Sequence, residues 1–269
     1  MNGYQQYRVQ RDGVGLTGYV QPGNAPLIVF QHGLCGDATQ PAEIFPSDQG
    51  FRHAVLECRG HGQSAAGCED RLSIATFTDD VAAMIATLDT PPVAVGGISM
   101  GAAIAARLAV QRPDLVRALI LARPAWITEN APANMHPNAV VGAMLAAGQS
   151  VSDFDQSAVA HALAIQAPDN LQSLRRFFDR QPRATTAALL QRIAADGPGV
   201  TAADLAALTL PVLILGTADD AIHPIADAQR LAALIPDARF IEVPPKGKNR
   251  AAHVAAMQDA IANFLKGLA

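Results

Sequence analysis

Short apolar runs alternate with stretches of helical periodicity along most of the chain. Runs rich in β-branched and other apolar residues, typical of strands, fall at 7–9, 14–20, 25–30, 51–56, 93–98, 118–122, 211–215 and 238–243. Apolar positions at helical spacing fall at 73–88, 102–108, 225–234 and 254–268. Because strands that alternate with helices usually pair in parallel, the pattern predicts an α/β fold. Its sheet is mostly parallel, with about eight strands and helices on both faces.

The alternation is interrupted once, after the sixth predicted strand. Residues 124–208 contain no convincing strand pattern but have helical patterns at 139–147, 157–165, 170–178 and 185–195. Strand and helix alternate again from residue 211 onwards. We therefore predict one core made of residues 1–123 and 209–269, with residues 124–208 inserted as a helical cap.

Composition narrows the partners and the compartment. The chain has 269 residues, 50% of them hydrophobic, and a formal net charge of −4, which is unsuited to nucleic acid or to an anionic membrane. The first residues lack the features of a signal peptide, and no apolar run is long enough to span a bilayer. Three cysteines without metal-site spacing fit a reducing compartment. We expect a cytoplasmic protein, and the sequence carries no indication of its oligomeric state.

The stretch Gly97-Ile98-Ser99-Met100-Gly101 joins a predicted buried strand to a predicted helix. A sharp strand-to-helix turn needs glycines beside the turn residue, and it holds the serine hydroxyl above the sheet. The motif predicts that Ser99 is a nucleophile. Taken alone, it equally describes a glycine-rich turn with a serine that caps the helix.

Further polar residues follow other predicted strands. Asp219 and Asp220 come after the strand at 211–215, and His253 is the one histidine that follows the last strand. The carboxyl ends of parallel strands share one edge of the sheet, so these side chains are expected near Ser99. Their order along the chain, serine, acid, histidine, suits nucleophilic catalysis. The other reading of His253 is a polar residue at the start of the last helix.

An oxyanion site is expected at the end of the strand at 25–30. Gly33, in the run Gln31-His32-Gly33-Leu34, lets the chain turn so that the backbone N–H of Leu34 can face a reacting oxygen. The backbone N–H of Met100 would supply a second donor. His32 itself is expected to hold the loop by hydrogen bonds.

Five motifs in this order resemble the α/β-hydrolase fold superfamily over essentially the full chain. They are H-G-L at 32–34, R-G-H-G-Q-S at 59–64, G-I-S-M-G at 97–101, D-A-I-H-P at 220–224, and the terminal His253. The chain is most similar to small cap-bearing serine hydrolases such as enol-lactone hydrolases and carboxylesterases. It departs from them at Ala102, which replaces a glycine, and before His253, which lacks its usual preceding glycine.

The resemblance implies a Ser99, His253 and Asp220 triad that cleaves a small ester or lactone through an acyl-enzyme, with no metal or organic cofactor. Asp220 is favoured because its spacing to His223-Pro224 resembles the family's acid loop, and Asp219 remains the alternative. Other functions on this fold are a non-catalytic small-molecule binder and a C–C bond hydrolase or acyltransferase that uses the same triad.

Two further residues are candidates for substrate binding. Arg123 leaves the strand beside that of Ser99, where its cation would hold a substrate carboxylate or phosphate and select an anionic ester or lactone. Its alternatives are an arginine facing solvent or the partner of a carboxylate in the cap. Trp126 is either an aromatic wall of the pocket or an anchor of the cap in the core.

Overall fold

An eight-stranded sheet lies at the centre of the structure, a computed structural model that describes residues 1, 3–46, 50–88 and 91–268. The strands are β1 Gln5–Arg11, β2 Val14–Val20, β3 Leu27–Gln31, β4 Arg52–Leu56, β5 Val93–Ile98, β6 Val116–Ala122, β7 Val212–Thr217 and β8 Arg239–Val243. Their order across the sheet is β1-β2-β4-β3-β5-β6-β7-β8.

Most neighbouring strands run parallel. The exceptions are the β1–β2 hairpin and the pairing of β2 with β4, which are antiparallel. The hairpin turns at Asp12 and Gly13, both with positive φ, as a two-residue turn between twisted strands requires. The other five pairings, from β4 through β3, β5, β6 and β7 to β8, are parallel. The predicted fold class is therefore confirmed.

Eleven α-helices connect the strands in the described part of the chain. They are α1 Thr39–Ile44, α2 Ile74–Leu88, α3 Met100–Gln111, α4 His136–Ala146, α5 Val151–Asp155, α6 Ala158–Gln166, α7 Pro168–Arg175, α8 Arg183–Ala195, α9 Ala202–Ala206, α10 Ile225–Leu234 and α11 Arg250–Lys266. Helices α2, α3 and α10 bury their apolar residues on one face of the sheet, and α1 and α11 on the other. The alternation of side chains along each strand supplies both apolar layers.

Helices alone connect β6 to β7. The predicted cap, 124–208, lies within this connection, and its four predicted helices correspond to α4, α6, α7 and α8. The sequence pattern missed the short helices α5 and α9, each of which begins with a capping box, at Ser150 and Thr201. A third apolar cluster, centred on Phe154, Leu174 and Leu190, packs within this region.

Helix α11 begins earlier than predicted. Its first residue is Arg250 instead of residue 254, because Asn249 caps it by accepting a hydrogen bond from the backbone N–H of Ala252 at 3.0 Å. His253 therefore lies in the first turn of a helix, and its own backbone N–H is bonded to the carbonyl oxygen of Asn249 at 3.0 Å.

The turn between β5 and α3 has no room for side chains at its two glycines. A Cβ on Gly97 would lie 2.3 Å from the carbonyl carbon of Gly101, and a Cβ on Gly101 would lie 2.4 Å from the carbonyl oxygen of Gln31. Both obstacles are backbone atoms, which cannot rotate away. The close approach holds α3 against the ends of β3 and β5.

Gly101→Ala tests this packing. We expect a loss of about 1–3 kcal/mol of unfolding free energy, because the added methyl group must displace backbone. For a chain of this size the loss corresponds to a melting temperature lower by about 2–10 °C. Gly15→Ala in β2 is the control, since its Cβ would meet its nearest atom at 3.4 Å. Equal melting temperatures for the two variants, measured by circular dichroism, would contradict the close packing.

Candidate active site

Ser99 lies in a strained turn between β5 and α3. Its backbone has φ 56° and ψ −111°, a conformation that residues with a Cβ seldom adopt. The backbone N–H of Ser99 donates to the carbonyl oxygen of Ala122 at 3.0 Å, which ties the turn to the end of β6. The side-chain Oγ lies 2.9 Å from Nε2 of His223. The turn therefore presents the hydroxyl to an imidazole.

His223 connects Ser99 to Asp220. The imidazole Nδ1 lies 3.0 Å from each carboxylate oxygen of Asp220, in the loop that follows β7. The backbone N–H groups of Ile222 and His223 donate to the same carboxylate at 3.1 and 3.0 Å. Arg123 Nη2 also lies 3.1 Å from Nδ1, but the two carboxylate oxygens of Asp220 favour a proton on Nδ1. In that tautomer, Nε2 is left to accept the serine proton.

The structure does not bring His253 into contact with Ser99, which corrects the geometry expected from the sequence. Its Nδ1 lies 2.8 Å from the carbonyl oxygen of Pro244, and among the described residues no hydrogen bond joins it to Ser99 or Asp220. The early start of α11 places the imidazole against the end of β8. The signal that identifies His223 is its spacing of three residues from Asp220 in one loop, a feature that the sequence already contained.

The two adjacent aspartates have different environments. Asp220 has a side chain only 6% exposed, whereas that of Asp219 is 50% exposed and pairs with Lys248 at 2.6 Å. Asn170 of α7, which sequence reasoning missed, donates from Nδ2 to Asp220 at 2.9 Å and accepts from the backbone N–H of Ala221 at 2.7 Å. No periodicity singles out Asn170, because its role depends on how α7 packs on the loop.

Arg123 contacts Asp220. Its Nε and Nη2 lie 3.1 and 2.5 Å from Oδ2 of that carboxylate, and both side chains are largely buried. The sequence prediction made Arg123 a ligand for a substrate anion. The structure instead gives its cation a carboxylate partner, one from the β7 loop and not from the cap.

Electrostatics favour an ionised acid and a neutral base. Burial by itself would raise the pKa of Asp220, but the charges of His223 and Arg123 and their hydrogen bonds hold it well below its usual value. Burial, reinforced by the charge of Arg123, lowers the pKa of His223, and Asp220 opposes this only in part. His223 is therefore neutral at neutral pH, the form that can accept a proton.

Two buried histidines hold the loop that carries Leu34. Nε2 of His61 accepts from the backbone N–H of Cys35 at 3.0 Å, and Nε2 of His32 accepts from that of Cys58 at 3.0 Å. Nδ1 of each ring lies within 3.0 Å of a backbone carbonyl oxygen. Within the described chain, the backbone N–H of Leu34 has no recorded acceptor.

Met100 is the first residue of α3, and the first N–H groups of a helix lack intrahelical acceptors. Two backbone donors are thus available beside Ser99.

A cavity of about 400 Å³ opens over Ser99, His223 and Leu34. Much of the rest of its wall comes from the loop after β3, from α1, α4, α7 and α11, from the short turns before α4 and after α7, and from the loop before α11. It includes Cys35, Glu43, Met135, Asn138, Phe177, Lys246, His253 and Met257. Trp126 is not part of this wall. Its ring is 3% exposed, and its Nε1 donates to the carbonyl oxygen of Asp196 at 2.9 Å, so it anchors the cap in the core.

Among the described residues, no group of three or more His, Cys, Asp or Glu side chains could hold a metal ion. None of the helices described has both the length and the apolar character needed to cross a membrane.

The chain belongs to the alpha/beta hydrolase fold family, whose sequence profile matches residues 26–249. Membership of this family and relatives named as hydrolases support a hydrolytic enzyme.

Individual relatives are distant. A protein of Mycobacterium tuberculosis named as a non-heme bromoperoxidase, BpoC, is 28% identical over 216 residues, 74% of this chain and 76% of that protein. The mouse sn-1-specific diacylglycerol lipase ABHD11 is 31% identical over 129 residues, 47% of this chain and 39% of the lipase. The enol-lactonase of Burkholderia xenovorans LB400 superposes with a TM-score of 0.69 at 24% identity, over 97% of this chain and 100% of that chain.

Acid is expected to destabilise the fold through its buried histidines. Burial lowers the pKa of His32 and His53 to about 4 and that of His61 below its ordinary value. In the unfolded chain these histidines take up protons near pH ~6.5, whereas in the folded chain His32 and His53 do so only near pH ~4. Stability is therefore complete above about pH 6.5 and falls as the pH drops towards 4, by a few kcal/mol for each of His32 and His53.

Urea unfolding at a series of pH values measures this loss. In His53→Gln the free energy of unfolding should depend less steeply on pH, because one of the protonating groups is missing. His161→Gln, on the exposed side of α6, serves as the matched control. Unfolding free energy that stays constant from pH 7 to about 4.5 would contradict the proton linkage.

Proposed function

We propose that the protein is a serine hydrolase that cleaves a small ester or lactone through an acyl-enzyme intermediate. The observation that carries the proposal is the continuous contact from Ser99 Oγ to His223 Nε2 at 2.9 Å and from His223 Nδ1 to Asp220 at 3.0 Å. A serine hydroxyl is a weak nucleophile until a base within hydrogen-bond reach takes its proton. His223 meets this requirement.

In the proposed reaction, Ser99 attacks the carbonyl carbon of the substrate while its proton passes to His223 Nε2. The imidazolium then gives the proton to the leaving oxygen, which departs as an alcohol and leaves an acyl-serine. In a lactone, this alcohol stays attached to the acyl group. Water, deprotonated by the same imidazole, releases the acid and restores Ser99. Asp220 holds the tautomer and stabilises the transient imidazolium.

The tetrahedral intermediate carries a negative oxygen that needs donors. We assign the backbone N–H groups of Leu34 and Met100 to it, because each lies beside Ser99 and has no acceptor within the described chain. Such a donor is worth about 3 kcal/mol in transition-state stabilisation. Since His32 and His61 hold the Leu34 loop, the donors are in place before substrate arrives.

The choice of an ester or lactone as the substrate is supported by the cavity of about 400 Å³, which suits a small substrate, and by the sequence likeness to a protein named as a lipase. The triad also departs from the sequence prediction, since it takes its histidine from the acid loop. His253 stays in the cavity wall with its Nδ1 bonded to Pro244.

A fluorophosphonate probe and a panel of esters and lactones test the function. The probe should label one serine per chain, identified as Ser99 by peptide mass spectrometry. At least one ester or lactone of the panel should release acid in a pH-indicator assay. An unreactive Ser99 in folded protein would overturn the proposal and favour a small-molecule binder on the same fold.

The two histidines give the sharpest test of the site. Ser99→Ala should lower kcat on the best substrate by on the order of 10⁴-fold, and His223→Gln should come close to it, because nucleophile and base act as a unit. His253→Gln is the matched control on the same cavity wall and should cost less than about tenfold, since it loses no contact with Ser99. A larger loss in His253→Gln than in His223→Gln would show that His253 is the base, as expected from the sequence.

The adjacent aspartates allow a second matched comparison. Asp220→Asn removes the charge that fixes the His223 tautomer, and such a loss costs roughly 10⁴-fold in kcat in a serine protease. Asp219→Asn breaks only its exposed contact with Lys248 and should stay within about threefold of the parent protein. Steady-state kinetics of the two variants show which aspartate is the acid. A larger loss of kcat in Asp219→Asn than in Asp220→Asn would make Asp219 the acid.

A further inference from the structure

We propose that Arg176 and Arg180 form a subsite for a carboxylate carried by the substrate, distant from the bond that is cleaved. That the cleaved bond is an ester or lactone rests on the proposed function, whereas the binding of the carboxylate does not depend on it.

The charges around the cavity do not balance. In the described part of the chain, five cationic side chains line it, Arg123, Arg176, Arg180, Lys246 and Arg250, against one carboxylate, Glu43. Three of these cations have carboxylate partners. The chain as a whole has a net charge of −4, so the positive character is local.

The three paired cations account for the nearby carboxylates. Arg123 is bonded to Asp220, Lys246 lies 3.1 Å from Asp169, and Arg250 binds both oxygens of Glu43 at 2.7 and 2.8 Å. Their charges are already compensated within the protein. An anionic ligand would therefore gain the most binding free energy at the other two cations, Arg176 and Arg180.

Arg180 is half-buried beside the loop that carries Leu34. Its Nη1 donates to Thr186 Oγ1 at 3.0 Å and its Nη2 to the carbonyl oxygen of Gly60 at 2.8 Å, both neutral acceptors. After burial, which is the largest cause, its charge contributes to lowering the pKa of His61. The guanidinium thus lies within electrostatic reach of the loop, and no carboxylate of the described residues pairs with it.

Arg176 precedes Arg180 by four residues, and the structure records no hydrogen bond or ion pair for it within the described ranges. Phe177, between the two arginines, also lines the cavity. The pair therefore combines one positioned guanidinium and one free to close on a ligand. Guanidinium groups match the planar, two-oxygen geometry of a carboxylate.

A buried amide in the same cavity also lacks a partner. Asn138 of α4 is 5% exposed and lines the cavity, yet its Oδ1 has no hydrogen-bond partner among the described residues. An unpaired buried oxygen is costly, and because an amide oxygen only accepts hydrogen bonds, its partner must be a donor such as a hydroxyl, an N–H group or water, and not the carboxylate itself. This independent observation indicates that a polar group belongs in the cavity.

The substrate class that follows is an ester or lactone with a carboxylate at its far end. The half-esters of dicarboxylic acids have this chemistry, and the series from monomethyl succinate to monomethyl suberate varies the distance between ester and carboxylate. Each half-ester has a neutral counterpart in its dimethyl ester, which removes the charge and keeps the chain.

Binding is measured first, with Ser99→Ala so that no turnover occurs. Isothermal titration calorimetry with the series should find a half-ester that binds at least about tenfold more tightly than its dimethyl ester. Added salt should weaken the half-ester selectively. Equal affinity of half-ester and dimethyl ester throughout the series would overturn the subsite.

Variants of one helical stretch then locate the site. Arg176→Gln should reduce the preference for the half-ester by about three- to tenfold. Arg175→Gln is the matched control: it removes the same charge one residue away, but Arg175 pairs with Asp155 at 3.0 Å and does not line the cavity. An equal change in both variants would mean that the preference reflects net charge and would refute the subsite. Arg176 is chosen because it is exposed, whereas Arg180 holds internal hydrogen bonds.

Catalysis separates this inference from the proposed function. In the active protein, kcat/KM for the half-ester relative to the dimethyl ester should exceed one and should fall in Arg176→Gln. If the half-ester binds selectively but no ester or lactone is hydrolysed, the hydrolase proposal fails and the anion subsite stands. If esters are hydrolysed with no preference for the charged member, the subsite fails and the hydrolase proposal stands.

Discussion

The buried carboxylate of Asp220 is the interaction on which the arrangement of the site depends. An unpaired charge at that depth would be very costly, so its oxygens must be saturated with donors. They receive hydrogen bonds from Arg123, from Asn170 and from the backbone of its own loop, and they hold His223 through Nδ1. The donors come from the end of β6, from α7 of the cap and from the loop after β7. One charge therefore fixes the sheet edge, the cap and the imidazole relative to one another.

This arrangement also determines what the cavity can recognise. Because Asp220 holds Arg123, this arginine is already paired within the protein, and its charge favours an ionised Asp220 and a neutral His223. A substrate anion close to Ser99 would compete with Asp220 for this cation. The two cavity cations without a carboxylate partner in the described part of the chain, Arg176 and Arg180, lie instead in the connection between α7 and α8. We therefore propose that different arginines of one cavity serve the chemistry near the serine and the recognition of charge.

Backbone geometry positions Ser99 and the loop that carries Leu34. The positive φ of Ser99 is maintained because Gly97 and Gly101 allow the strand, the turn and the helix to approach more closely than any side chain permits. The neutral histidines His32 and His61 hold the neighbouring loop by accepting backbone N–H groups at Nε2. Both rings are buried and accept these hydrogen bonds in their neutral form. Protonation of Nε2 by acid would remove the acceptor and weaken the contacts.

The sequence by itself determined the fold class, the strand order along the chain and the special positions of Ser99 and Asp220. Hydrophobic period and turn glycines are local properties, so they can be identified without a structure. Which histidine contacts Ser99 depends on the tertiary structure. His253 follows the last strand, as the family pattern requires, although it lacks the usual preceding glycine. Asn249 caps α11 and starts it early, and the His253 ring is bonded to Pro244, while the loop after β7 brings His223 to Ser99. Asn170 and the pairing of Arg123 likewise join residues far apart in the chain, and such contacts depend on how the helices pack.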